Sequence, residues 1–153
     1  MCGRYSLTTD LDELDERFAF QRSEPILEPR FNIAPSQKVL TVVNNGLNNE
    51  SRFMNWGLIP FWTKDSFAGL RMINARAETI SWKPSFREAF KKRRCLVIAD
   101  GFYEWKRKGD TKIPMRIVLK TGEPFGFAGV WRDVNFGFGC LGPPKKYLGR
   151  YIY

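Results

Sequence analysis

The chain has 153 residues, of which 43% are hydrophobic and 15% aromatic, so it can bury a core and is not expected to be disordered. Its formal net charge is +9, which favours a polyanionic partner such as nucleic acid, although such an excess can also serve solubility alone. The sequence contains no histidine, and this excludes Ser-His and Cys-His catalytic pairs and every histidine-containing zinc site.

The spacing of the cysteines and the lengths of the apolar runs indicate the compartment in which the protein is expected. Cys2, Cys95 and Cys140 are too widely spaced for a disulfide framework or a CxxC metal site, so we expect a reduced, cytoplasmic protein. No apolar run approaches the roughly 20 residues that span a bilayer, and the first residues lack signal-peptide character. We therefore expect no membrane, metal or cofactor partner.

The N-terminal half is predicted to contain a short helix and a hairpin. Apolar residues recur at helical spacing within 11–18, and Asp10 stands where a capping residue is needed. Val39 to Val43 and Arg52 to Trp56 are predicted strands, because Asn44-Asn45-Gly46 between them is typical of a turn.

The C-terminal half is predicted to be richer in strands. Residues 84–92 have helical spacing, while 95–99 form a continuous apolar run that is short enough for a buried strand. Further strands are expected over 102–106, 115–119 and 125–131. The pattern predicts one α+β domain with mainly antiparallel pairing.

Cys2 is the first candidate for chemistry. Removal of Met1 would leave it with a thiol and an α-amine on adjacent carbons, and such a 1,2-aminothiol condenses with an aldehyde to give a thiazolidine. An α-amine titrates near neutral pH, so an appreciable fraction is uncharged and nucleophilic. The alternative is an incidental cysteine at a chain terminus, which is the commoner case in an arbitrary protein.

Four further polar residues are candidates, and for two of them a plain structural alternative stands beside the functional one. Arg4 can hold a phosphate, and Asn74 offers a donor and an acceptor for positioning an intermediate. Arg76 can bind phosphate or simply pair with Glu78. Glu104, between two aromatic residues, is suited to proton transfer if partly buried, or is an ordinary strand glutamate that pairs with a lysine.

The segment from Trp56 to Trp62 holds several large apolar groups around Gly57 and Pro60. Some of them must belong to the core. An exposed member could stack on DNA bases, as in proteins that bind single strands.

Six blocks of the sequence, in this order, resemble the SRAP family, the SOS response-associated peptidase domains that are also named abasic-site processing proteins. Together they cover residue 1 to about residue 131 and are far more specific than any one motif. The blocks are Met1-Cys-Gly-Arg-Tyr5, Arg30-Phe-Asn-Ile-Ala-Pro35, Trp56-Gly-Leu-Ile-Pro60, Asn74-Ala-Arg-Ala-Glu-Thr79, Arg94-Cys-Leu-Val-Ile-Ala-Asp-Gly-Phe-Tyr-Glu-Trp105 and Phe127-Ala-Gly-Val-Trp131.

The resemblance implies a β-rich α+β fold with a mainly antiparallel, barrel-like core, a few short helices and a positively charged DNA groove. It implies that Cys2 forms a covalent crosslink with abasic sites in single-stranded DNA, a lyase-type activity, and that autoprocessing as a peptidase is secondary. Asn74 would position the reacting groups and Glu104 would act as acid and base. The DNA-binding residues implied by the resemblance are Arg4, Asn32, Pro35, Trp56 and Arg76.

The sequence departs from the family pattern after residue 133. The family has a further segment with a histidine that assists imine chemistry, whereas residues 134–153 match nothing expected there and show no strand or helix periodicity. We expect an SRAP domain over 1–133, incomplete at its C-terminal end through truncation or a frame shift, and a divergent tail over 134–153.

Three functional hypotheses remain open at the level of sequence. The chain is a crosslinking enzyme, a binding relative that grips single-stranded DNA without reacting, or a product with no stable fold. For either functional form we expect a cytoplasmic monomer, associated with the nucleoid if its source is a bacterium or phage.

Overall fold

The structure, a computed structural model, describes residues 3–23, 27–59, 62, 72–132, 138–141 and 151–152. These residues contain two short helices, α1 (Leu11–Phe18) and α2 (Arg87–Lys92). Their eleven strands are β1 (Tyr5–Leu7), β2 (Arg30–Ile33), β3 (Lys38–Asn44), β4 (Asn49–Asn55), β5 (Asn74–Ala75), β6 (Arg94–Ala99), β7 (Gly101–Lys108), β8 (Thr111–Leu119), β9 (Phe125–Trp131), β10 (Phe138–Leu141) and β11 (Tyr151–Ile152).

The strands form two sheets. The first has the order β11-β8-β7-β1-β2, and all its pairs are antiparallel. The second has the order β4-β3-β6-β9-β10-β5, antiparallel except for the parallel pair of β10 and β5. The predicted β-rich α+β class with mainly antiparallel pairing is therefore confirmed.

The core lies between the two sheets and contains a group of aromatic rings. Tyr5 and Phe102 come from the first sheet, Phe127 comes from the second, and Trp56 directly follows β4. The ring of Tyr5 meets those of Trp56 and Phe127 edge-on, with centroids 5.4 and 6.1 Å apart. Edge-to-face contacts of this kind stabilise a core beyond the burial of apolar area alone.

The local signals at the N-terminal end of the chain work as predicted. The carboxylate of Asp10 accepts hydrogen bonds at 3.0 Å from the backbone N–H groups of Asp12 and Glu13, which caps α1. The helix ends at Ala19, whose backbone is left-handed with φ of 48°. The predicted hairpin is the β3–β4 pair, and Gly46, with φ of 97°, lies in its turn.

Two expectations differ from the structure. The helix expected over 84–92 begins only at Arg87, because residues 84–86 form turns. The segment 134–153 was expected to lack a regular element, yet β10 pairs with β9 and β5. A Cβ at Gly139 would lie 3.2 Å from the carbonyl oxygen of Met72, so the glycine permits the close packing of β10.

Neither described helix is long and apolar enough to cross a membrane.

Candidate functional site

A pocket of about 770 Å³ opens at the N-terminal end of β1, and we call it the N-terminal pocket. It is bounded by the residues that precede β1, by β2, and by the hairpin of β7 and β8. Its lining residues are Gly3, Arg4, Phe31, Asn32, Tyr103, Glu104, Trp105 and Pro114. The pocket thus combines one cation, one carboxylate and several aromatic rings.

A β-bulge brings two adjacent residues of β2 to the pocket. Tyr5 pairs with Ile33 but Leu7 pairs with Arg30, so the single residue between them on β1 faces two residues, 31 and 32, on β2. An extra residue of this kind breaks the alternation of a strand and redirects its side chains. Phe31 is accordingly 68% exposed, and Asn32 is exposed beside it.

Hydrogen bonds fix the polar side of the pocket. Nη1 of Arg4 donates to Oδ1 of Asn32 at 2.9 Å, which holds the guanidinium against β2. The hydroxyl of Tyr103 donates to the carbonyl oxygen of Phe31, and its backbone N–H donates to the carbonyl oxygen of Arg4, both at 2.9 Å. The three chain segments that form the pocket are therefore tied to one another.

The apolar side of the pocket is unusually exposed. Trp105 is 59% exposed and Phe31 is 68% exposed, although each carries an aromatic ring that would gain free energy from burial. Rings presented beside a fixed cation can stack with flat, anionic ligands, of which nucleotides are the commonest in cells.

A buried carboxylate lies where β1 and β7 meet. Asp100 is 5% exposed and accepts hydrogen bonds from the hydroxyls of Ser6 and Thr8, both at 2.7 Å, and from the backbone N–H groups of Thr8 and Thr9. Nη2 of Arg116 pairs with it at 3.0 Å, while Nε of Arg116 donates to the hydroxyl of Ser6 at 3.1 Å. We call these five residues the Asp100 junction.

The pKa of Asp100 is lowered from its ordinary value. Burial acts in the opposite direction and is the largest single influence, but hydrogen bonds from Ser6 and Thr8 and the charge of Arg116 together outweigh it. The carboxylate is therefore charged near neutral pH, and it holds the end of β1 against the start of β7.

No group of three or more histidine, cysteine, aspartate or glutamate side chains in the described part of the chain could hold a metal ion.

Comparisons with known proteins identify the family. The family model described as SOS response associated peptidase (SRAP) matches residues 1–144. Two Bacillus subtilis (strain 168) proteins named abasic site processing protein are similar: YoqW is 50% identical over 138 residues and YobE 48% over 138 residues. The chain belongs to the SRAP family. The resemblance that the sequence blocks predicted is thus confirmed.

The alignment with these relatives covers most of this chain but only part of each relative. The aligned region covers 88% of this SRAP chain, but only 62% of YoqW and 63% of YobE. The chain therefore spans less than two thirds of the length of the curated relatives it matches. A crystal structure of a protein from Bacteroides thetaiotaomicron has a TM-score of 0.75 and 30% identity, and covers 92% of this chain and 66% of that one.

Three of the residues that sequence analysis selected lie together in this SRAP domain. Arg4, Asn32 and Glu104 all line the N-terminal pocket, although they are far apart in sequence. Cys2 lies outside the described residues, but it is bonded to Gly3, which lines the same pocket.

The other selected residues, which are Pro35, Trp56, Asn74 and Arg76, do not line the pocket. Pro35 lies in the turn that follows β2, and the backbone of Ser36 in that turn bonds to the carbonyl oxygen of Trp56 at 2.8 Å. Trp56 is only 2% exposed, and its Nε1 donates to the carbonyl oxygen of Ile73 at 2.9 Å. The indole is therefore a core group that fixes the residue before Asn74, not a surface for stacking.

Asn74 and Arg76 are placed by neighbouring elements. Asn74 is half-buried in β5, which pairs in parallel with β10 at position 140. Arg76 is exposed and begins a turn in which its carbonyl oxygen accepts from the backbone N–H of Thr79 at 3.1 Å.

Four side chains that line the pocket were not among the predicted site residues: Phe31, Tyr103, Trp105 and Pro114. Trp105 carried a usable signal, because the charged run 106–108 directly after it indicates an exposed end of the strand. Phe31 carried none, since the bulge that exposes it arises from the pairing of β1 with β2.

Proposed function

We propose that this SRAP-family chain processes abasic sites in single-stranded DNA by forming a covalent crosslink through Cys2. The observation that carries the proposal is the convergence of Arg4, Asn32 and Glu104 on a pocket that Gly3, the residue bonded to Cys2, also lines. The names of YoqW and YobE, abasic site processing protein, support abasic sites as the substrate.

The proposed chemistry uses the two nucleophiles of an N-terminal cysteine. Once Met1 is removed, the α-amine of Cys2 attacks the aldehyde of the ring-opened abasic sugar and forms an imine, with loss of one water. The thiol then adds to the imine carbon, the new C–S bond closes a thiazolidine, and the thiol proton goes to the nitrogen. No oxidant or reductant is needed.

Glu104 is the residue in the pocket that can carry protons for these steps. Its half-buried carboxylate can take a proton from the α-ammonium of Cys2, which frees the neutral amine to attack, and can return that proton to the hydroxyl that leaves as water. A carboxylate can serve this purpose in a protein whose sequence contains no histidine.

The preference for single strands follows from the exposed rings. Phe31 and Trp105 can stack only on bases that are not stacked in a duplex, and each base–aromatic contact is worth about 1–3 kcal/mol. Arg4, held by Asn32, is suited to the phosphate beside the damaged nucleotide.

The test mixes the purified protein with a single-stranded oligonucleotide that contains one abasic site and resolves the products on a denaturing gel. Wild type should give a shifted band, Cys2→Ala should give none, and Glu104→Gln should form the band about 10²–10⁴-fold more slowly. An oligonucleotide with a ring-closed abasic analogue, which has no aldehyde, is the matched control. Mass spectrometry verifies the removal of Met1. A band of equal intensity with Cys2→Ala would refute the proposal.

A second candidate function is a relative that binds single-stranded DNA without reacting. The net charge of +9 favours it, since a basic surface alone is enough to bind a polyanion. Salt-dependent binding of both oligonucleotides without any covalent band would select this candidate.

A further inference from the structure

The hairpin of β7 and β8 extends beyond the sheet as a basic ribbon. Every residue from Trp105 to Pro114 is exposed. The strand β1 pairs with β7 only at residues 101 and 102, so the outer part of the hairpin has no neighbouring strand among the described residues. The ribbon contains one acid, Asp110, against four cations, which are Lys106, Arg107, Lys108 and Lys112.

The pairing register divides these cations between two faces. Trp105 pairs with Pro114, and the next pair on the same face is Arg107 with Lys112. Two residues further along a strand correspond to about 7 Å, roughly the reach of one nucleotide. Since Trp105 and Pro114 line the N-terminal pocket, Arg107 and Lys112 continue that surface away from it.

The positive charges of Arg107 and Lys112 face each other, and no acidic side chain in the described part of the chain pairs with either. Like charges directly opposite across an antiparallel pair destabilise it. Within the described part of the chain, none of the four ribbon cations makes an ion pair or a side-chain hydrogen bond. A polyanion placed across this face would convert the repulsion into attraction.

We propose that the face formed by Arg107 and Lys112 binds the phosphates of the DNA strand next to the nucleotide held in the N-terminal pocket. The inference rests on the proposed function for the identity of the ligand. It extends the binding surface from the pocket to the ribbon. The aromatic rings of the pocket hold bases, and the paired cations hold the backbone that continues from them.

The test compares two double variants that remove the same charge from the same ribbon. Arg107→Gln/Lys112→Gln alters the proposed face, and Lys106→Gln/Lys108→Gln is the matched control on the opposite face. Affinity for an undamaged single-stranded oligonucleotide is measured by fluorescence anisotropy at a series of salt concentrations. All four positions are exposed, so both variants should fold, which circular dichroism checks.

The two variants should behave differently. Each phosphate contact contributes about 0.7 to the slope of log affinity against log salt for single strands, so the first variant should lose about 1.4 of slope and about 25-fold of affinity at 0.1 M salt. The control should lose no more than a few-fold, because charges beyond about 10 Å are screened at that salt. Equal losses in the two variants, or no loss in either, would overturn the inference.

Crosslinking separates this inference from the proposed function. With an abasic oligonucleotide too short to reach the ribbon, wild type and both variants should react at the same rate. With a longer one at limiting protein, only Arg107→Gln/Lys112→Gln should be slower. Polyglutamate and unlabelled single-stranded DNA are also compared as competitors of the bound oligonucleotide. If wild type crosslinks but the two competitors are equally effective, the ribbon binds acidic polypeptide and the inference is wrong. If wild type neither binds nor crosslinks DNA, both proposals fail.

Discussion

Strand β7 contains two regions with opposite properties. At its start, next to Asp100, Phe102 is fully buried and the carboxylate of Asp100 is surrounded by hydrogen-bond donors. A few residues later, Trp105 and the cations that follow it are exposed. The first region lies directly beside the Asp100 junction, and the second is part of the basic ribbon. One strand therefore connects the anchored part of the chain to the surface that is proposed to bind DNA.

Stability and binding are determined in different parts of the molecule. The Asp100 junction joins β1 to β7 and so fixes the residues that lead to the pocket, but none of its five members lines the pocket. The ribbon presents polar and aromatic groups with little burial, so it contributes little to the core. Substitutions in the Asp100 junction should therefore change the free energy of unfolding, and substitutions in the ribbon should change the affinity for DNA.

The largest loss of stability should follow Asp100→Ala. The substitution leaves the Ser6 hydroxyl, the Thr8 N–H and the Arg116 guanidinium without their common acceptor. Removing one partner of a buried, hydrogen-bonded charge typically costs about 3–5 kcal/mol. Urea denaturation measures this change. Glu123→Ala, which removes an exposed carboxylate paired with Arg17, is the control and should have little effect. Equal stability of the two variants would show that the junction does not anchor β1.

Acid should weaken the same junction selectively. Because the pKa of Asp100 is lowered in the folded protein, its contribution to stability is fully present above the unfolded-state pKa and is lost as pH falls through the folded-state pKa. The difference in unfolding free energy between wild type and Asp100→Asn should be constant at neutral pH and should narrow below about pH 4. Urea denaturation of both proteins across this range provides the measurement, and a gap that widened in acid would contradict the prediction.

A smaller loss should follow Gly101→Ala. An added Cβ would lie 2.7 Å from Nε of Arg116, which is held in place by the junction. Overpacking of this kind typically costs about 1–3 kcal/mol. Urea denaturation of a double-mutant cycle with Arg116→Ala isolates the cause, since the alanine at 101 should cost less once the guanidinium is absent. Additive effects would refute the steric explanation.

The sequence predicted those parts of the fold that depend on local chemistry. Asp10 can cap α1 because its carboxylate reaches N–H groups two and three residues away, and this requires no distant contact. The same holds for the β3–β4 hairpin, whose turn is built from asparagines and Gly46. The blocks shared with the SRAP family also selected Arg4, Asn32 and Glu104, which line one pocket, while their roles in binding and catalysis stay predictions.

The remainder depends on pairings between distant segments. The exposure of Phe31 results from a bulge opposite β1, and β10 is a strand because β9 and β5 offer it backbone partners on both sides. Trp56 was assigned to the DNA surface from its block, yet the structure buries it in the core, where its Nε1 donates to the carbonyl oxygen of Ile73, the residue before Asn74. Pattern alone does not distinguish a buried aromatic group that positions a site from an exposed one that contacts a ligand.

Trp105→Ala should cause the smallest change in stability and a large loss of DNA affinity. Its side chain is 59% exposed, so the unfolding free energy should stay within about 0.5 kcal/mol of wild type, as is usual for surface substitutions. Loss of one base–aromatic contact, about 1–3 kcal/mol, should nevertheless reduce the affinity for single-stranded DNA by about 5–150-fold in an anisotropy titration.

Two controls decide whether stacking is the cause. Trp105→Phe keeps a flat ring and should retain most of the affinity, whereas Leu47→Ala removes an exposed apolar side chain on the β3–β4 turn and should leave both quantities unchanged. If Trp105→Ala destabilised the fold as much as Gly101→Ala while leaving DNA affinity intact, the ribbon would be part of the structural framework. The division of β7 into an anchoring half and a binding half would then be wrong, because both halves would serve the stability of the fold.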